Sequence, residues 1–327
     1  YIMRLSNKFK INKNVILIFI ILILLIAIVV NPAVYITSCL NGLVVWATVV
    51  LPALLPFMFF TKTLTELGVA DILATKFKLF PKIFKVPSVA IYVFVLSILS
   101  GYPVGAKIVA DLYENGSITK EEAYKITTFT SNSGPMFILG SVGIGMLVSK
   151  KLGIIILISH ILGALINGLL YRNHKEKNIE INKKIILKNN SSIGELMWNT
   201  VHSMLIIGGF IALFFVIIEI LNNLNIFYPI SSLFSKIFNL DINIFNSIFN
   251  GFFEITRGCL DISKLGLSEF FTGVLCTFII SFGGLATTMQ ALVFLKKFDM
   301  KMSFFIKQKI THAIFASVIS ALLLLIF

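Results

Sequence analysis

One pattern of glycines and charged residues occurs twice in this chain, 150 positions apart. The first copy consists of Gly101, Lys107, Asp111, Gly116, Ser131 and Gly134, and the second of Gly251, Arg257, Asp261, Gly266, Ser281 and Gly284. Both copies lie in apolar sequence, where ionisable groups are costly in a membrane and usually functional. A duplicated chain with interrupted apolar segments at matched positions is typical of a transporter with internal repeats.

The apolar composition excludes an ordinary soluble domain. Hydrophobic residues make up 57% of the chain, and the mean hydropathy is +0.95. Segments of about 18 or more apolar residues are long enough to cross the hydrocarbon core. The sequence therefore predicts an all-α integral membrane protein with full spans at 15–35, 42–66, 152–171, 197–221 and 305–327. The first span has no A-x-A cleavage site after it, so a retained helix is expected rather than a signal peptide.

Two further apolar stretches, 119–149 and 268–296, are too long for one plain helix. Ser133-Gly134-Pro135 interrupts the first, and Gly283-Gly284 interrupts the second. Proline removes a backbone donor and glycine relaxes the helix, so both stretches are predicted to be broken helices. Freed backbone groups at membrane depth are tolerated only where they face protein or a wet cavity.

Each broken helix is preceded by two short apolar pieces, at 87–114 and at 244–264. The first pair surrounds Gly101-Tyr102-Pro103, and the second surrounds Asn250-Gly251. Each piece is about half the length needed to cross a bilayer, so a re-entrant hairpin is predicted in each copy. Amphipathic segments at 73–85 and 227–238 precede the hairpins and are expected at the membrane interface.

The charge distribution gives the orientation. The net charge is +13, and the basic residues cluster between the apolar spans, which marks cytoplasmic loops rather than a nucleic-acid site. With a cytoplasmic N-terminus and re-entrant hairpins, the loop at 172–188 and the lysines of 76–85 and 296–309 all fall inside. This topology has about seven crossings, three in each repeat, and the odd number inverts the second repeat. The predicted units are an N-terminal basic segment and first helix (1–40), repeat 1 (41–172), a cytoplasmic linker (173–195) and repeat 2 (196–327).

The hairpin turns and helix breaks are predicted to meet near the bilayer centre and to bind a small polar solute. The polar candidates are Ser100, Tyr102, Lys107, Ser131, Asn132, Ser133, Asn250, Glu254, Thr256, Arg257, Ser281, Thr287, Thr288 and Gln290. Glu254 has no counterpart in the first copy, where Val104 stands. It is the best candidate for coupling to a proton or a sodium ion, and the alternative is an ion pair with Lys107 or Arg257.

Other polar groups have simpler explanations. Asp111 and Asp261 follow Lys107 and Arg257 at i+4, which is the spacing of an intrahelical salt bridge. His160 and Asn167 share a helix face, where hydrogen bonds between helices are expected. No catalytic constellation, metal-ligand spacing or phosphate loop is present, so neither an enzyme nor a cofactor is predicted. The expected partners are the lipid bilayer and a small solute, and a homo-oligomer is compatible with the sequence.

At these positions the chain resembles a known family. The segments LPALLPF, SGYPVGAK, SNSGPMFILGSVGIGML, GFFEITRG and SFGGL resemble the YlbJ family of bacterial sporulation integral membrane proteins, within the wider nucleoside-recognition or Gate domain superfamily. The resemblance runs from about Leu51 to Phe294. It implies a multi-pass protein of a bacterial cell membrane with a role in making resistant spores, and a kinship with nucleoside and ferrous-iron transporters. It adds Gly101, Pro103, Gly134, Pro135, Gly283 and Gly284 to the expected site residues.

Two other functions remain open at this point. One is a non-transporting membrane scaffold of the spore envelope, which long soluble loops for partner docking would favour, and the sequence lacks such loops. The other is a membrane enzyme or lipid-handling protein, and the lack of a catalytic constellation weighs against the enzyme. The ionisable groups in apolar sequence favour a transporter-like carrier.

Overall fold

The described part of the chain is built of helices and contains no strand. A computed structural model describes residues 13–67, 72, 76–77, 79–174 and 192–327. In chain order the α-helices are α1 (Lys13–Val30), α2 (Pro32–Val45), α3 (Leu51–Glu66), α4 (Leu79–Phe84), α5 (Val89–Ser100), α6 (Val104–Glu114), α7 (Lys120–Thr130), α8 (Lys150–Tyr171), α9 (Ile193–Asn223), α10 (Tyr228–Phe238), α11 (Ile242–Phe253), α12 (Ile255–Ser263), α13 (Glu269–Phe282), α14 (Gly284–Leu295) and α15 (Met302–Ile326). π-Helical segments lie at Trp46–Val50 and Phe137–Met146, and a 3-10 turn at Lys296–Phe298. The all-α prediction is confirmed.

Three predicted features lie wholly or partly outside the described residues. They are the basic segment before residue 13, part of the amphipathic segment 73–85, and most of the linker 173–195.

Five of the described helical stretches are long and apolar enough to cross a membrane. They are Pro32–Leu64, Lys150–Tyr171, Ile193–Asn223, Glu269–Phe298 and Met302–Ile326. The other two predicted crossings correspond to α1, which has 18 residues, and to the interrupted stretch that begins at α7. The count of seven crossings stays a prediction.

The boundary between the first two predicted spans is wrong. We expected spans at 15–35 and 42–66, but α1 ends at Val30 and one helical stretch runs on from Pro32 to Glu66. Asn31 has a non-helical backbone (φ −134°, ψ 65°). The reason is steric, because a proline disfavours helical geometry at the residue before it and is accepted at the first position of a new helix.

Two pairs of short helices form hairpins. Hairpin 1 is α5 and α6, and it turns at Gly101, whose φ is +70° and whose missing Cβ would lie 2.8 Å from the Gly134 amide nitrogen. Hairpin 2 is α11 and α12, and it turns at Glu254 rather than at the predicted Asn250-Gly251. Gly251 stays inside α11, where it allows α12 to pack closely against that helix. A Cβ on Gly258 of α12 would lie 2.3 Å from the Gly251 Cα.

Both broken helices are interrupted where predicted. Residues 131–134, named break 1, leave the helix between α7 and the Phe137–Met146 segment. Gly283, named break 2, separates α13 from α14 with φ +87°. A positive φ of this kind costs glycine little and other residues considerably more.

The elements of the two repeats recur in the same order: hairpin, broken helix, long span. The repeats also interlock, because α6 of hairpin 1 packs on α14, and α12 of hairpin 2 packs on the Phe137–Met146 segment. The long spans α8 and α15 pack against each other and against α13. Each hairpin therefore rests on the second half of the other repeat's broken helix, and the hairpin turns are brought to the breaks.

Replacing Gly105 by alanine should destabilise the protein. Gly105 of α6 lies against break 1, and an added Cβ would stand 1.9 Å from the Thr130 carbonyl oxygen. Overpacking of this kind costs about 1–3 kcal/mol. The measurement is the apparent unfolding temperature of the purified protein in detergent. The control is Gly209→Ala, since no atom lies within 4 Å of that added methyl; equal unfolding temperatures for the two variants would contradict the proposed contact.

The predicted orientation can be tested by cysteine labelling. The end of hairpin 1 at Asn115 is expected inside, and the end of hairpin 2 at Lys264 outside; both residues are exposed. In intact cells, an impermeant thiol reagent should label Lys264→Cys and leave Asn115→Cys unlabelled until the membrane is opened. A background with Cys39, Cys259 and Cys276 replaced removes the native thiols. Labelling of both sites from outside would mean that at least one hairpin spans fully.

Candidate functional site

A small cavity lies where the hairpin turns and the helix breaks meet. Its volume is about 60 Å³. One wall comes from the long helices α3 and α9, and it is apolar, with Leu54, Phe57, Met58, Ile207, Phe210 and Ile211. The other wall comes from the turns and breaks, and its polar side chains are Ser100, Tyr102, Ser133, Glu254, Thr256, Thr287 and Gln290. A mainly apolar cavity with a few converging polar groups is the usual form of a ligand site.

The structure brings about half of the predicted site residues to this central cavity. Among the predicted residues, those that line it are Ser100, Gly101, Tyr102, Ser133, Gly134, Glu254, Thr256, Thr287 and Gln290. Five of these come from the first repeat and four from the second. The matched motifs therefore converge on one place, although they are far apart in sequence.

Glu254 stands at the turn of hairpin 2 with only 3% of its surface exposed. Its carboxylate caps α12 by accepting a hydrogen bond from the backbone N–H of Arg257 at 2.7 Å. Within the described residues, neither Lys107 nor Arg257 forms an ion pair with it. Since a helix N-terminus stabilises negative charge, the cap provides partial compensation. The carboxylate is thus held at the cavity wall without a cationic side chain of its own.

The guanidinium of Arg257 is occupied elsewhere. Its Nε lies 3.0 Å from the Asp261 carboxylate, and its Nη2 lies 3.5 Å from Glu219. Asn250 joins the group, because its amide nitrogen donates to the Asp261 carboxylate at 2.8 Å. The i+4 pair predicted for the second copy is therefore present, within a half-buried network that also ties hairpin 2 to α9.

This network forms one wall of a second, wider cavity. Its volume is about 350 Å³, and it lies among α9, α10 and hairpin 2. The lining includes Asn222, Asn225, Asn243, Asn246, Asn250, Arg257, Asp261 and Lys264. Two predicted site residues, Asn250 and Arg257, thus line this cavity rather than the central one.

The other predicted site residues lie around the cavities without lining them. Asn132 is buried and donates to the Ser97 hydroxyl at 3.1 Å. Gly283 and Gly284 allow close approach, because a Cβ on Gly283 would lie 2.8 Å from the Tyr102 hydroxyl. Pro103 and Pro135 are half-buried at the starts of helical segments. Lys107 is exposed, so its assignment to the solute site has no support in the geometry.

One buried basic residue was missed by sequence reasoning. Lys309 was placed in a cytoplasmic basic cluster, but it lies in α15 with 2% of its surface exposed. Its ammonium donates to the Ser131 carbonyl at 2.8 Å and to the Tyr102 hydroxyl. The signal was available, because Lys309 begins an apolar stretch that continues to the last residue. Lys309 holds break 1 and hairpin 1 from one side.

We expected His160 to form a hydrogen bond between helices, and its ring does so with Ser281 of α13. Sequence reasoning did not predict that the same ring also contacts break 1. Its Nε2 accepts from the Ser133 backbone N–H at 3.0 Å, and its Nδ1 lies 2.8 Å from the Ser281 hydroxyl. Ser281 is therefore a hydrogen-bond partner of His160 and does not line the central cavity. Asn167, in contrast, makes the expected contacts between helices, with the Thr128 and Gln308 carbonyls at 2.7 and 3.0 Å.

The described residues contain no group of three or more His, Cys, Asp or Glu side chains placed to hold a metal ion. The chemistry that the site does offer is hydrogen bonding, a buried carboxylate and backbone groups freed at the breaks.

Comparison with known proteins gives one relative. The chain is similar to the sporulation integral membrane protein YlbJ of Bacillus subtilis strain 168, with 28% identity over 344 aligned positions. The alignment covers 97% of this chain and 84% of the relative. No family model and no solved structure matches the chain. The match confirms the integral membrane class and supports the family resemblance indicated by the motifs, and the Gate superfamily stays a prediction.

Removing the centre of the Arg257 network should destabilise hairpin 2. Asp261→Ala leaves the half-buried guanidinium without its strongest partner and leaves the Asn250 amide without an acceptor. Such unsatisfied groups cost about 1–3 kcal/mol. Asp299→Ala is the matched control, because it removes a pair with Lys120 in which the carboxylate is 81% exposed; exposed pairs contribute less than about 1 kcal/mol. Thermal unfolding in detergent would compare the two, and an equal loss would contradict the structural role of the network.

Proposed function

We propose that this chain, which belongs to the family of the sporulation integral membrane protein YlbJ, is a transporter-like carrier of a small polar solute in a membrane of a sporulating bacterium. The supporting observation is the central cavity, where both hairpin turns and both helix breaks converge on a mixed polar and apolar lining. Sites of this kind, made of interrupted helices from two repeats, are characteristic of secondary transporters.

The lining indicates the general chemistry of the solute. Hydroxyl, amide and carboxyl groups stand on the side of the hairpins and breaks, and aliphatic and aromatic groups stand on α3 and α9. A solute with a polar edge and an apolar face would match both walls. A cavity of about 60 Å³ has room for a few water molecules only, so a solute requires the hairpins and the long helices to separate.

The interlocked repeats suggest how separation occurs. Each hairpin rests on the other repeat's broken helix, so a rocking of one repeat against the other would open one side of the cavity and close the other. The exposed ion pairs that join the two repeats are weak enough to break and re-form during such a motion. Lys120 meets Asp299 at 2.9 Å, and Lys151 meets Glu269 at 2.9 Å. The hydrogen bond to Asp299 raises the pKa of Lys120, which stays charged, yet exposed pairs of this type contribute little.

Glu254→Gln should abolish solute binding while leaving the protein folded. Ligand-dependent thermal unfolding of the purified wild type, screened against nucleosides, amino acids, organic acids and metal ions, should give at least one stabilising solute. A ligand at a hundredfold excess over its dissociation constant stabilises the folded state by about 2.7 kcal/mol. The stabilisation should be lost in Glu254→Gln, because the carboxyl group forms part of the cavity wall.

Glu114→Gln removes an acidic group whose side chain is 50% exposed and paired with Lys297, so it should bind solute as the wild type does. If no solute stabilises the folded wild type, or if Glu254→Gln binds equally well, the carrier proposal fails. A membrane scaffold of the spore envelope, for which binding at this cavity is irrelevant, would then be favoured.

A further inference from the structure

His160 occupies a singular position between the two repeats. The ring belongs to α8, is fully buried, and bonds to break 1 through Ser133 and to Ser281 of α13, two residues before break 2. Ser281 is the repeat counterpart of Ser131, so equivalent regions of both copies meet at one imidazole. Ser133 also lines the central cavity. A change at His160 therefore affects break 1, the end of α13 beside break 2, and the wall of the central cavity.

The hydrogen bonds define the protonation state of the ring. A backbone N–H can only donate, so Nε2 must accept from Ser133 with its lone pair and carries no proton. Nδ1 then carries the single proton of a neutral imidazole and donates to the Ser281 hydroxyl. A second proton could bind only at Nε2. It would remove the acceptor of the Ser133 N–H, so the proton and this hydrogen bond exclude each other.

The groups that face His160 do not stabilise a positive charge on its ring. The His312 ring of α15 lies 4.8 Å away between centroids, and its Nε2 lies 2.9 Å from the His160 carbonyl oxygen. Lys309, one turn earlier on α15, binds break 1 at Ser131. Ser133 and Ser281 are uncharged, and no acidic side chain forms an ion pair with Lys309 in the described part of the chain. A positive charge on His160 is therefore disfavoured by burial, and also by the nearby Lys309 ammonium, until break 1 moves or water enters.

We propose that Nε2 of His160 is a proton-binding site that couples the state of break 1 to the protonation of the carrier. In the arrangement described, break 1 is closed by the Ser133 N–H and the site is free of the second proton. When break 1 opens to water, Nε2 takes a proton from that aqueous phase. When break 1 closes again, the proton must leave before the Ser133 hydrogen bond re-forms. This inference rests on the proposed carrier function and assigns its coupling ion as a proton bound at His160, distinct from the solute-facing Glu254.

The test measures break 1 directly and needs no solute. Hydrogen–deuterium exchange of the full-length protein in detergent would follow peptides spanning residues 129–137 at pH 7.5 and pH 5.5, with exchange times corrected for the intrinsic pH dependence. A proton that binds only the open form favours opening by up to about tenfold per pH unit below the ordinary histidine pKa of about 6.5. The wild type should therefore exchange up to about tenfold faster at pH 5.5.

Glutamine is the informative substitution. In His160→Gln the amide can still accept from Ser133 and donate to Ser281, but it does not titrate, so the exchange at 129–137 should lose its pH dependence. His202→Gln is the matched control, because His202 is exposed on α9 and should retain the wild-type response. His312→Gln separates the two rings of the buried pair, and it should retain a pH response.

Each outcome bears on the proposal. A wild type without pH-dependent exchange at break 1 overturns it, even if His160→Gln fails to fold. A response that persists in His160→Gln, or that disappears only in His312→Gln, also overturns it. The carrier proposal fails separately: a pH-dependent break 1 with no stabilising solute would retain the proton site without transport, and a bound solute with a pH-independent break would remove only the proton site.

Discussion

The structure depends on one constraint, which is that a polypeptide cannot interrupt a helix within a bilayer unless something bonds the freed backbone groups. Here the partners are side chains from the long spans. Lys309 donates to the carbonyl of Ser131, and His160 accepts from the N–H of Ser133. Break 1 therefore requires α8 and α15 to pack against it. That packing determines where the broken helices lie. The broken helices in turn position the hairpins, because each hairpin packs on one of them.

The second condition is the close approach of backbone segments, which glycine allows because it has no side chain. The turn of hairpin 1 reaches break 1 because neither Gly101 nor Gly134 carries a side chain, and hairpin 2 closes tightly where Gly251 meets Gly258. These contacts bring polar groups of both repeats to a cavity of about 60 Å³. The carrier and the proton site proposed above both use this geometry, one through Glu254 at the cavity wall and the other through His160 behind it.

The sequence predicted the breaks and hairpins well, because their signals are local. Proline and glycine interrupt a helix wherever it lies, and a ten-residue apolar piece is short in any fold. The predictions that failed needed information from elsewhere in the chain. The second turn was assigned to Gly251, but that glycine serves a contact with Gly258, and the turn falls at Glu254. Lys309 was assigned to a loop, since its acceptors on the other repeat could not be known from its neighbours.

The amino-acid sequence by itself determined the membrane class, the repeated pattern of glycines and charged residues and the two helix breaks, and it indicated the family, because each depends on residue type and spacing along the chain. Tertiary structure alone decided which polar residues face the central cavity, which serve the Arg257 network, and which hold the breaks. The physical reason is distance: His160 and Ser281 are separated by 121 residues and Lys309 and Ser131 by 178, so only packing brings them together.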